Sequence, residues 1–422
     1  MKKLVVCATG EMFISVSSNS TLMHPSKSIR GLRSRSLEGK TIILGVTGSI
    51  AAVKTVELSR ELIRRGAEVI AVMSESAKRI IHPDALHYAT GNRVITEITG
   101  EVEHVRFCGE GGEADLLLIA PATANTISKI SLGIDDTPVT TFATTAIGRN
   151  LPIIIVPAMH GSMYAHERVA ENLRNLERMG IKIIPPVITE GTAKMADVEE
   201  IIIEVERALR GDSLRGKRVV ITSGATAESI DPIRILTNRS SGKTGEELAK
   251  EAYRRGAEVT LIHRGKLGIR GIREVRVESS EEMFSAVMKE MEKGCDIFIS
   301  AAAVADYTVD KSERKIPSGK EELVLRLKPT KKIVSEVSRR YPEVALIAFK
   351  AETGVSPEEL IEIGKRKREE LNAVLIVAND VLEGGIGEEE NEVYIIGRDV
   401  EKVKGRKEEI AVRIWDAIER EL

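Results

Sequence analysis

Ile221-Thr222-Ser223-Gly224-Ala225-Thr226 is followed by Asp231-Pro232-Ile233-Arg234 and then by Asn238-Arg239-Ser240-Ser241-Gly242-Lys243. An apolar strand runs into a glycine turn, a long polar loop follows, and a helix opens near Glu246. That is the layout of a nucleotide or phosphate site at the carboxyl end of a parallel strand, where backbone amides at a helix start attract anions. A second strand–glycine–helix unit, built around Gly48-Ser49, opens the first half of the chain, so two sites are expected. Its exposed amides favour a phosphate, but the spacing is not the Gly-x-Gly-x-x-Gly fingerprint, and many such turns bind nothing. Pro121-Ala122-Thr123-Ala124-Asn125-Thr126 and Pro157-Ala158-Met159-His160-Gly161-Ser162-Met163-Tyr164 follow two further strands, and His104 lies in another loop. A lone histidine is more often structural than catalytic. His104, His160 and Asn125 at neighbouring strand ends shift those odds toward catalysis.

Gly242-Lys243-Thr244 resembles the end of a Walker A loop, but that loop needs a glycine where this chain has Thr237, so a P-loop NTPase is excluded. Lys315 stands in a charged run over 311–320 and taken alone reads as a solvated lysine. Lys367, within Lys365-Arg366-Lys367-Arg368, reads equally as part of a basic helix face.

Strands over 40–46, 67–73, 115–120, 139–143, 152–156 and 181–184 alternate with helices, among them 50–65 and a closing helix over 198–209. A polar stretch at 211–216 serves as a hinge, and the pattern restarts at 217–222. Further strands are expected over 297–301, 323–327, 344–349, 373–377 and 393–396. A last helix over 407–422 holds the only tryptophan, Trp415. Such alternation specifies α/β architecture, with two doubly wound parallel sheets covered on both faces. The two halves echo each other, as in Arg64-Arg65-Gly66-Ala67-Glu68-Val69 and Arg254-Arg255-Gly256-Ala257-Glu258-Val259. That echo fits duplication and shared fold grammar equally.

With 422 residues, two domains are expected. A net charge of -2 on a chain with 30% charged residues argues against general affinity for nucleic acid or membrane. No run approaches the roughly 20 apolar residues of a membrane helix. Cys7, Cys108 and Cys295 are too widely spaced for a disulfide framework or a metal site, so a reducing cytoplasm is expected. Glutamine is absent while Ile, Glu, Lys and Arg are plentiful, a bias that fits a hot environment. Residues 1–38 read as a disordered leader or a misplaced start. Residues 1–7 are compatible with a short strand, 15–36 are serine-rich and unpatterned, and Met23 is a plausible true start.

Residues 39–205 resemble the flavin-dependent cysteine decarboxylases, the family of phosphopantothenoylcysteine decarboxylase. The resemblance rests on Gly45-Val46-Thr47-Gly48-Ser49-Ile50-Ala51-Ala52, the 121–126 motif, Pro157-Ala158-Met159 with Met163-Tyr164, and His104 ahead of the 115–120 strand. It implies a flavodoxin-like flavoprotein domain over 39–210. FMN would be held by Gly48 and Ser49 and by Thr144 and Thr145, which follow the expected 139–143 strand. It also implies oxidation of a substrate thiol followed by loss of CO2, with His104 as acid/base and with Asn125, Ala158, Met159 and His160 around the carboxylate. There are two departures. His160 stands where the family usually has Asn, and imidazole still donates a hydrogen bond. The flap over 185–195 has no cysteine, although Gly191 and Lys194-Met195 match its end. Lys194, water or Cys108 would then supply the final proton, or Cys108 is simply a small buried thiol.

Residues 216–415 resemble phosphopantothenate–cysteine ligase. Its matching pieces are the 222–226 turn, Ile230 to Arg234, Thr237 to Lys243, Ala302-Ala303-Val304-Ala305-Asp306-Tyr307, Lys315-Ile316, Phe349-Lys350-Ala351-Glu352-Thr353 and Ala378-Asn379-Asp380. The resemblance implies a nucleotide-binding, Rossmann-like ligase domain over 217–422. In it, 4'-phosphopantothenate would be activated by a nucleoside triphosphate, usually CTP, as an acyl-nucleotide and then joined to cysteine. Asn238 would contact that intermediate and Lys315 the activated phosphate. Ala302, Ala303 and Asp306 would line base and sugar, Phe349 would pack near the base, and Lys367 would reach the triphosphate. Mg2+ is expected with the triphosphate, with no acidic cluster to dictate its ligands. The family also implies decarboxylase trimers and ligase dimers, hence a homo-oligomer up to a dodecamer. A two-Rossmann NAD(P) oxidoreductase lacks its fingerprint here. An active ligase carrying an impaired or scaffold-only flavin domain is the remaining alternative.

Overall fold

A computed structural model describes residues 24–318, 322–382, 388 and 390–422. The short strand expected over 1–7, Cys7 and the start at Met23 lie outside the described residues. The chain divides into two compact units between Val198 and Glu199.

The first unit contains β1 (Thr41–Val46), β2 (Glu68–Met73), β3 (Leu116–Ala122), β4 (Ile153–Pro157), β5 (Met159–His160), β6 (Lys182–Ile183), β7 (Val187–Thr189) and β8 (Thr192–Lys194). A five-stranded sheet runs β2-β1-β3-β4-β6 with every pair parallel. β3 is buried at every position, as a strand covered on both faces by helices must be. Counting the five strands along the chain gives the flavodoxin-like order 2-1-3-4-5, whose ligand crevice opens where the order reverses, between β1 and β3. β5, β8 and β7 form a small antiparallel sheet beside it.

The second unit contains β9 (Arg218–Ser223), β10 (Ala227–Ser229), β11 (Ile235–Thr237), β12 (Glu258–His263), β13 (Arg273–Arg276), β14 (Ile297–Ser300), β15 (Tyr307–Val309), β16 (Leu327–Pro329), β17 (Ala345–Glu352), β18 (Leu375–Asp380), β19 (Glu390–Ile396) and β20 (Val400–Arg406). Its eight-stranded sheet runs β13-β12-β9-β14-β17-β18-β19-β20. The first six strands are parallel in the Rossmann order 3-2-1-4-5-6, and β19 and β20 add an antiparallel edge. The crevice here lies between β9 and β14. Trp415, on helix Lys407–Glu421, is fully buried, and its indole donates to Leu248 O at 2.9 Å. Truncating a side chain so placed costs about 3–5 kcal/mol.

Five expectations need correction. Residues 139–143 are not a strand but part of helix Pro138–Gly148. Thr137 caps that helix in a capping box, proline occupies its first turn, and Val139, Phe142, Ala143 and Ala146 fall on one buried face. The β-branched run gives the misleading signal. Residues 24–38, read as leader, are folded in their described part. Pro25–Ser28 is a helical turn, Leu37 is fully buried, and its amide donates to Arg65 O at 2.9 Å. The 211–216 hinge is packed, with Leu214 buried and donating to Arg255 O at 2.8 Å. Helix Val198–Arg210 goes with the second unit because its carboxylates bond there: Glu206 to Arg254 at 2.6 Å, Glu204 to Tyr253 at 2.7 Å and Glu200 to Arg270 at 2.7 Å. Finally, the 323–327 strand is reduced to β16, and Leu323 and Val324 are 46% and 72% exposed. No described helix is long and apolar enough to cross a membrane.

Candidate active sites

In the first unit, the loops at the carboxyl ends of β1, β3 and β4 are tied to one another. Thr47 is buried, its hydroxyl donates to Pro121 O at 2.8 Å, and it accepts from the Thr123 amide at 3.0 Å. The Ala158 amide donates to Ala122 O at 3.0 Å. Gly48 follows directly, and a Cβ there would lie 2.5 Å from Ser76 Cβ and Oγ, so only glycine fits. Ser49 Oγ caps the helical turn Ile50–Lys54 by accepting from Ala51 N, and helix Thr55–Arg64 continues it. Ser74 and Ser76, just past β2, add hydroxyls 3.1 Å apart. No motif marks these two serines in the sequence; their one usable signal is their position immediately after a strand.

Thr123 caps helix Ala124–Leu132, leaving Asn125 exposed in its first turn. Ala158 and Met159 are only 3% and 8% exposed, so their side chains set the position of the exposed His160 rather than present themselves. His160 Nδ1 accepts from the Ser162 amide at 3.4 Å and lies 2.9 Å from Ser162 Oγ, which directs the other ring nitrogen away. In register, His160 pairs with Thr192 of the β7–β8 hairpin, and the Gly161 amide donates to Gly191 O at 2.8 Å. Lys194 is bound to Glu190 at 3.2 Å. Thr144 is exposed on helix Pro138–Gly148, while the Thr145 hydroxyl donates to Thr141 O at 2.9 Å. His104 stands apart on helix Glu103–Cys108, and its Nδ1 is buried without a hydrogen-bond partner. A buried imidazole nitrogen without a partner is costly in a finished protein core. Cys108 is fully buried in the apolar core, and burial pushes its thiol up to about 12. It reads as a packing residue and not as a proton source.

In the second unit, β9 ends at Ser223, and Gly224 turns the chain at φ +76°. Gly242, at φ +82°, leads into helix Lys243–Arg254, and a Cβ on it would stand 3.1 Å from Gly224 Cα. Both positions take the left-handed φ that favours glycine, and a side chain at 242 would crowd the 224 backbone. Ser223 Oγ donates to Gly242 O at 2.7 Å. Across the crevice, the segment after β14 is clamped to the same turn. The Ala303 amide donates to Gly224 O at 2.9 Å, the Ala305 amide to Thr226 Oγ1 at 2.9 Å, and Asn238 Nδ2 to Ala303 O at 3.0 Å. A cavity of about 690 Å³ opens here, with Ala302, Ala303, Asp306, Phe349 and Lys367 among its walls and the start of helix Lys243–Arg254 at one side. Asp306 is ion-paired with Lys332, and Lys367 with Glu370 at 2.6 Å.

Lys315 is not on that wall. It is exposed, on a loop fastened to the 231–234 turn: the Ile316 amide donates to Asp231 Oδ2 at 3.1 Å, and Arg234 Nη1 donates to Ile316 O at 3.3 Å. The amide of Ile233 and then those of Arg234 and Ile316 hold the Asp231 carboxyl below its usual range, against burial. The cavity also has walls that the sequence does not single out, including Thr330, Lys331 and Lys332. Their charge reads as ordinary surface. Among the described residues no group of three or more His, Cys, Asp or Glu is placed to hold a metal.

Comparison with known proteins bears on both units. Residues 31–210 match the flavoprotein family, and residues 214–422 match the DNA/pantothenate metabolism flavoprotein C-terminal domain. The coenzyme A biosynthesis bifunctional protein CoaBC of Thermococcus kodakarensis is 52% identical over 408 residues, spanning 95% of this chain and 100% of that one. The chain belongs to the coenzyme A biosynthesis bifunctional protein family. As a member it is a bifunctional enzyme, with a flavoprotein domain of the decarboxylase type and a ligase domain. The protein of the same name from Methanocaldococcus jannaschii is 42% identical over 408 residues, spanning 95% of this chain and 98% of its own. A solved C-terminal domain of a CoaBC protein is 34% identical, spans 50% of this chain and 97% of its own, and superposes with a TM-score of 0.41.

Proposed function

We propose that the second unit joins 4'-phosphopantothenate to cysteine at the expense of a nucleoside triphosphate, CTP by preference, and that the first decarboxylates the product to 4'-phosphopantetheine. The observation that carries the reading is the β9/β14 crevice. A glycine-to-glycine contact, a helix start and the clamped 301–305 segment surround a cavity sized for a nucleotide. In the ligase step the phosphopantothenate carboxylate attacks the α-phosphorus and pyrophosphate leaves. The cysteine amine then attacks the acyl carbon and expels the nucleoside monophosphate. Amides at the start of helix Lys243–Arg254 and the lysines of the wall would balance the polyphosphate charge. Asn238, anchored on Ala303 O, would orient the acyl-nucleotide. Lys315 must approach by movement of its loop. Mg2+ would enter with the triphosphate.

For the first unit the reading assigns FMN to the β1/β3 crevice. The residues present fit a bound group: a glycine-only turn, a row of hydroxyls at the β1 and β2 ends, and exposed Ile50 and Val53 beside them. Gly48, Ser49 and Thr144 would hold FMN, with Thr145 backing that helix face. When bound, FMN supplies a two-electron acceptor and donor. His104 would hold and move the proton at the substrate thiol or carboxylate. Asn125 and His160 would orient the carboxylate with N–H donors, and the β7–β8 hairpin next to His160 would exclude water. Assembly through trimers of the first unit and dimers of the second completes the proposal, supported by exposed apolar residues such as Ile50 and Ile233.

Equilibrium titration with CTP, ATP and GTP in Mg2+, on protein whose visible absorbance is recorded for bound flavin, tests both halves. Tightest binding of CTP and a retained yellow chromophore are expected. Failure of every nucleotide to bind would remove the ligase assignment of the cavity. Retained flavin without CO2 release from 4'-phosphopantothenoylcysteine would favour a scaffold-only first unit, the reading that His160 and the cysteine-free hairpin otherwise support.

A further inference from the structure

Four lysines of the cavity wall are each held by a carboxylate: Lys331 by Glu281, Lys332 by Asp306, Lys350 by Glu352 and Lys367 by Glu370. Three of these pairs involve a carboxylate more than 60% exposed. The fourth differs. Lys350 and Glu352 lie two residues apart on β17 and so point to the same face. Their charged ends are 2.8 Å apart, and their side chains are 37% and 29% exposed. Lys350 also follows Phe349 directly, at the carboxyl edge of the sheet where the crevice opens.

We propose that Lys350 is a polyphosphate-binding residue of the nucleotide site, kept in position by Glu352 until a nucleoside triphosphate takes its place. The proposal rests on reading the cavity as the nucleotide site. A single partly exposed carboxylate holds a lysine weakly. A triphosphate offers several charged oxygens to the same ammonium, a stronger charge-assisted contact than one carboxylate provides. Lys350 lines the same cavity as the start of helix Lys243–Arg254, whose amides favour the anionic part of a ligand. Release of Lys350 leaves the Glu352 carboxylate without its cation, which makes the exchange sensitive to the charge at position 352. Lys350 thereby discriminates among ligands by phosphate number and leaves the choice of base to other walls.

The test is calorimetric titration of the full chain with CTP, CMP and cytidine in Mg2+ at low and moderate salt. It compares the unsubstituted protein with Lys350→Ala, Lys350→Arg and Glu352→Gln. Lys350→Ala should weaken CTP by about tenfold, the size of one charge-assisted contact, and leave CMP and cytidine within about twofold. Lys350→Arg should restore most of that loss, and Glu352→Gln should tighten CTP a few-fold. The loss should shrink as salt rises. Equal weakening of all three ligands would mark Lys350 as a structural residue and overturn the proposal. So would unchanged CTP binding in Lys350→Ala, or weaker CTP binding in Glu352→Gln. Should Lys350→Ala fail to fold, CTP binding by Lys350→Arg and Glu352→Gln decides between these outcomes. If the unsubstituted protein binds no triphosphate, the nucleotide-site reading and this proposal fall together. If it binds CTP and Lys350→Ala binds it equally, only this proposal falls.

Discussion

Gly245→Ala is the smallest change that separates the β9 turn from the helix beside it. A methyl carbon on Gly245 would sit 2.4 Å from Ser223 Oγ and 2.5 Å from Ser223 Cβ, where non-bonded carbons rest about 3.5–4.0 Å apart. Rotating the hydroxyl relieves the first contact but not the second, because Cβ is fixed to the strand. The helix start must therefore back away by about 1 Å, which as overpacking costs about 1–3 kcal/mol. The same movement breaks the 2.7 Å bond from Ser223 Oγ to Gly242 O, worth about 0.5–1.5 kcal/mol. Together these predict a loss of about 2–4 kcal/mol, read by guanidinium unfolding. Triphosphate affinity should fall by about tenfold to a hundredfold, since a 1 Å misplacement of positioning groups has that effect. The control is Ser223→Gly, which removes both clashing atoms. In that background the added alanine should cost less than about 1 kcal/mol, a strongly non-additive cycle. An additive cycle, or a Gly245→Ala protein with unchanged stability and binding, would refute the packing argument for this turn.

Three further expectations can be checked independently. Glu206→Gln leaves the Arg254 guanidinium, 2% exposed, without its 2.6 Å partner. It should destabilise by about 3 kcal/mol, the low end for a broken buried pair because Glu251 and Glu408 remain nearby; Glu206→Gln with Arg254→Met should regain most of this in denaturant unfolding. His104→Asn should keep the visible flavin absorbance yet slow CO2 release by about 10²–10⁴-fold, and loss of the flavin instead would assign His104 to cofactor binding. Burial raises Cys108 and Cys295 to about 12, so at pH 8 only about one thiol in 10⁴ is thiolate. Peptide mapping after a thiol reagent on the native protein should find both unlabelled until denaturant is added.

The parallel strands are legible because buried strands are continuous apolar runs closed by Gly or Pro, as in β1, β3 and β9. Several site motifs stand just past such runs, at Gly48, Asn125, His160 and Gly224. Helix Pro138–Gly148 imitates a strand because four threonines and a valine crowd its sequence, while the deciding signal, Thr137 before Pro138, is a cap. The allegiance of helix Val198–Arg210 is hidden in its charged residues, whose partners on helix Lys243–Arg254 lie far along the chain. Lys315 carries a clear motif, yet its loop is fastened to Asp231, a long-range bond that no local pattern announces. Lys350 is a single letter within the 349–353 motif. Its significance comes from the cavity it faces.

The most direct test incubates the purified protein with 4'-phosphopantothenate, cysteine, Mg2+ and CTP, and reads the products by mass. The account predicts 4'-phosphopantetheine, with CMP and pyrophosphate formed in step with it. Accumulation of 4'-phosphopantothenoylcysteine alone would contradict the assignment of the first unit, and absence of any conjugate with CTP, ATP or GTP would contradict the assignment of the second.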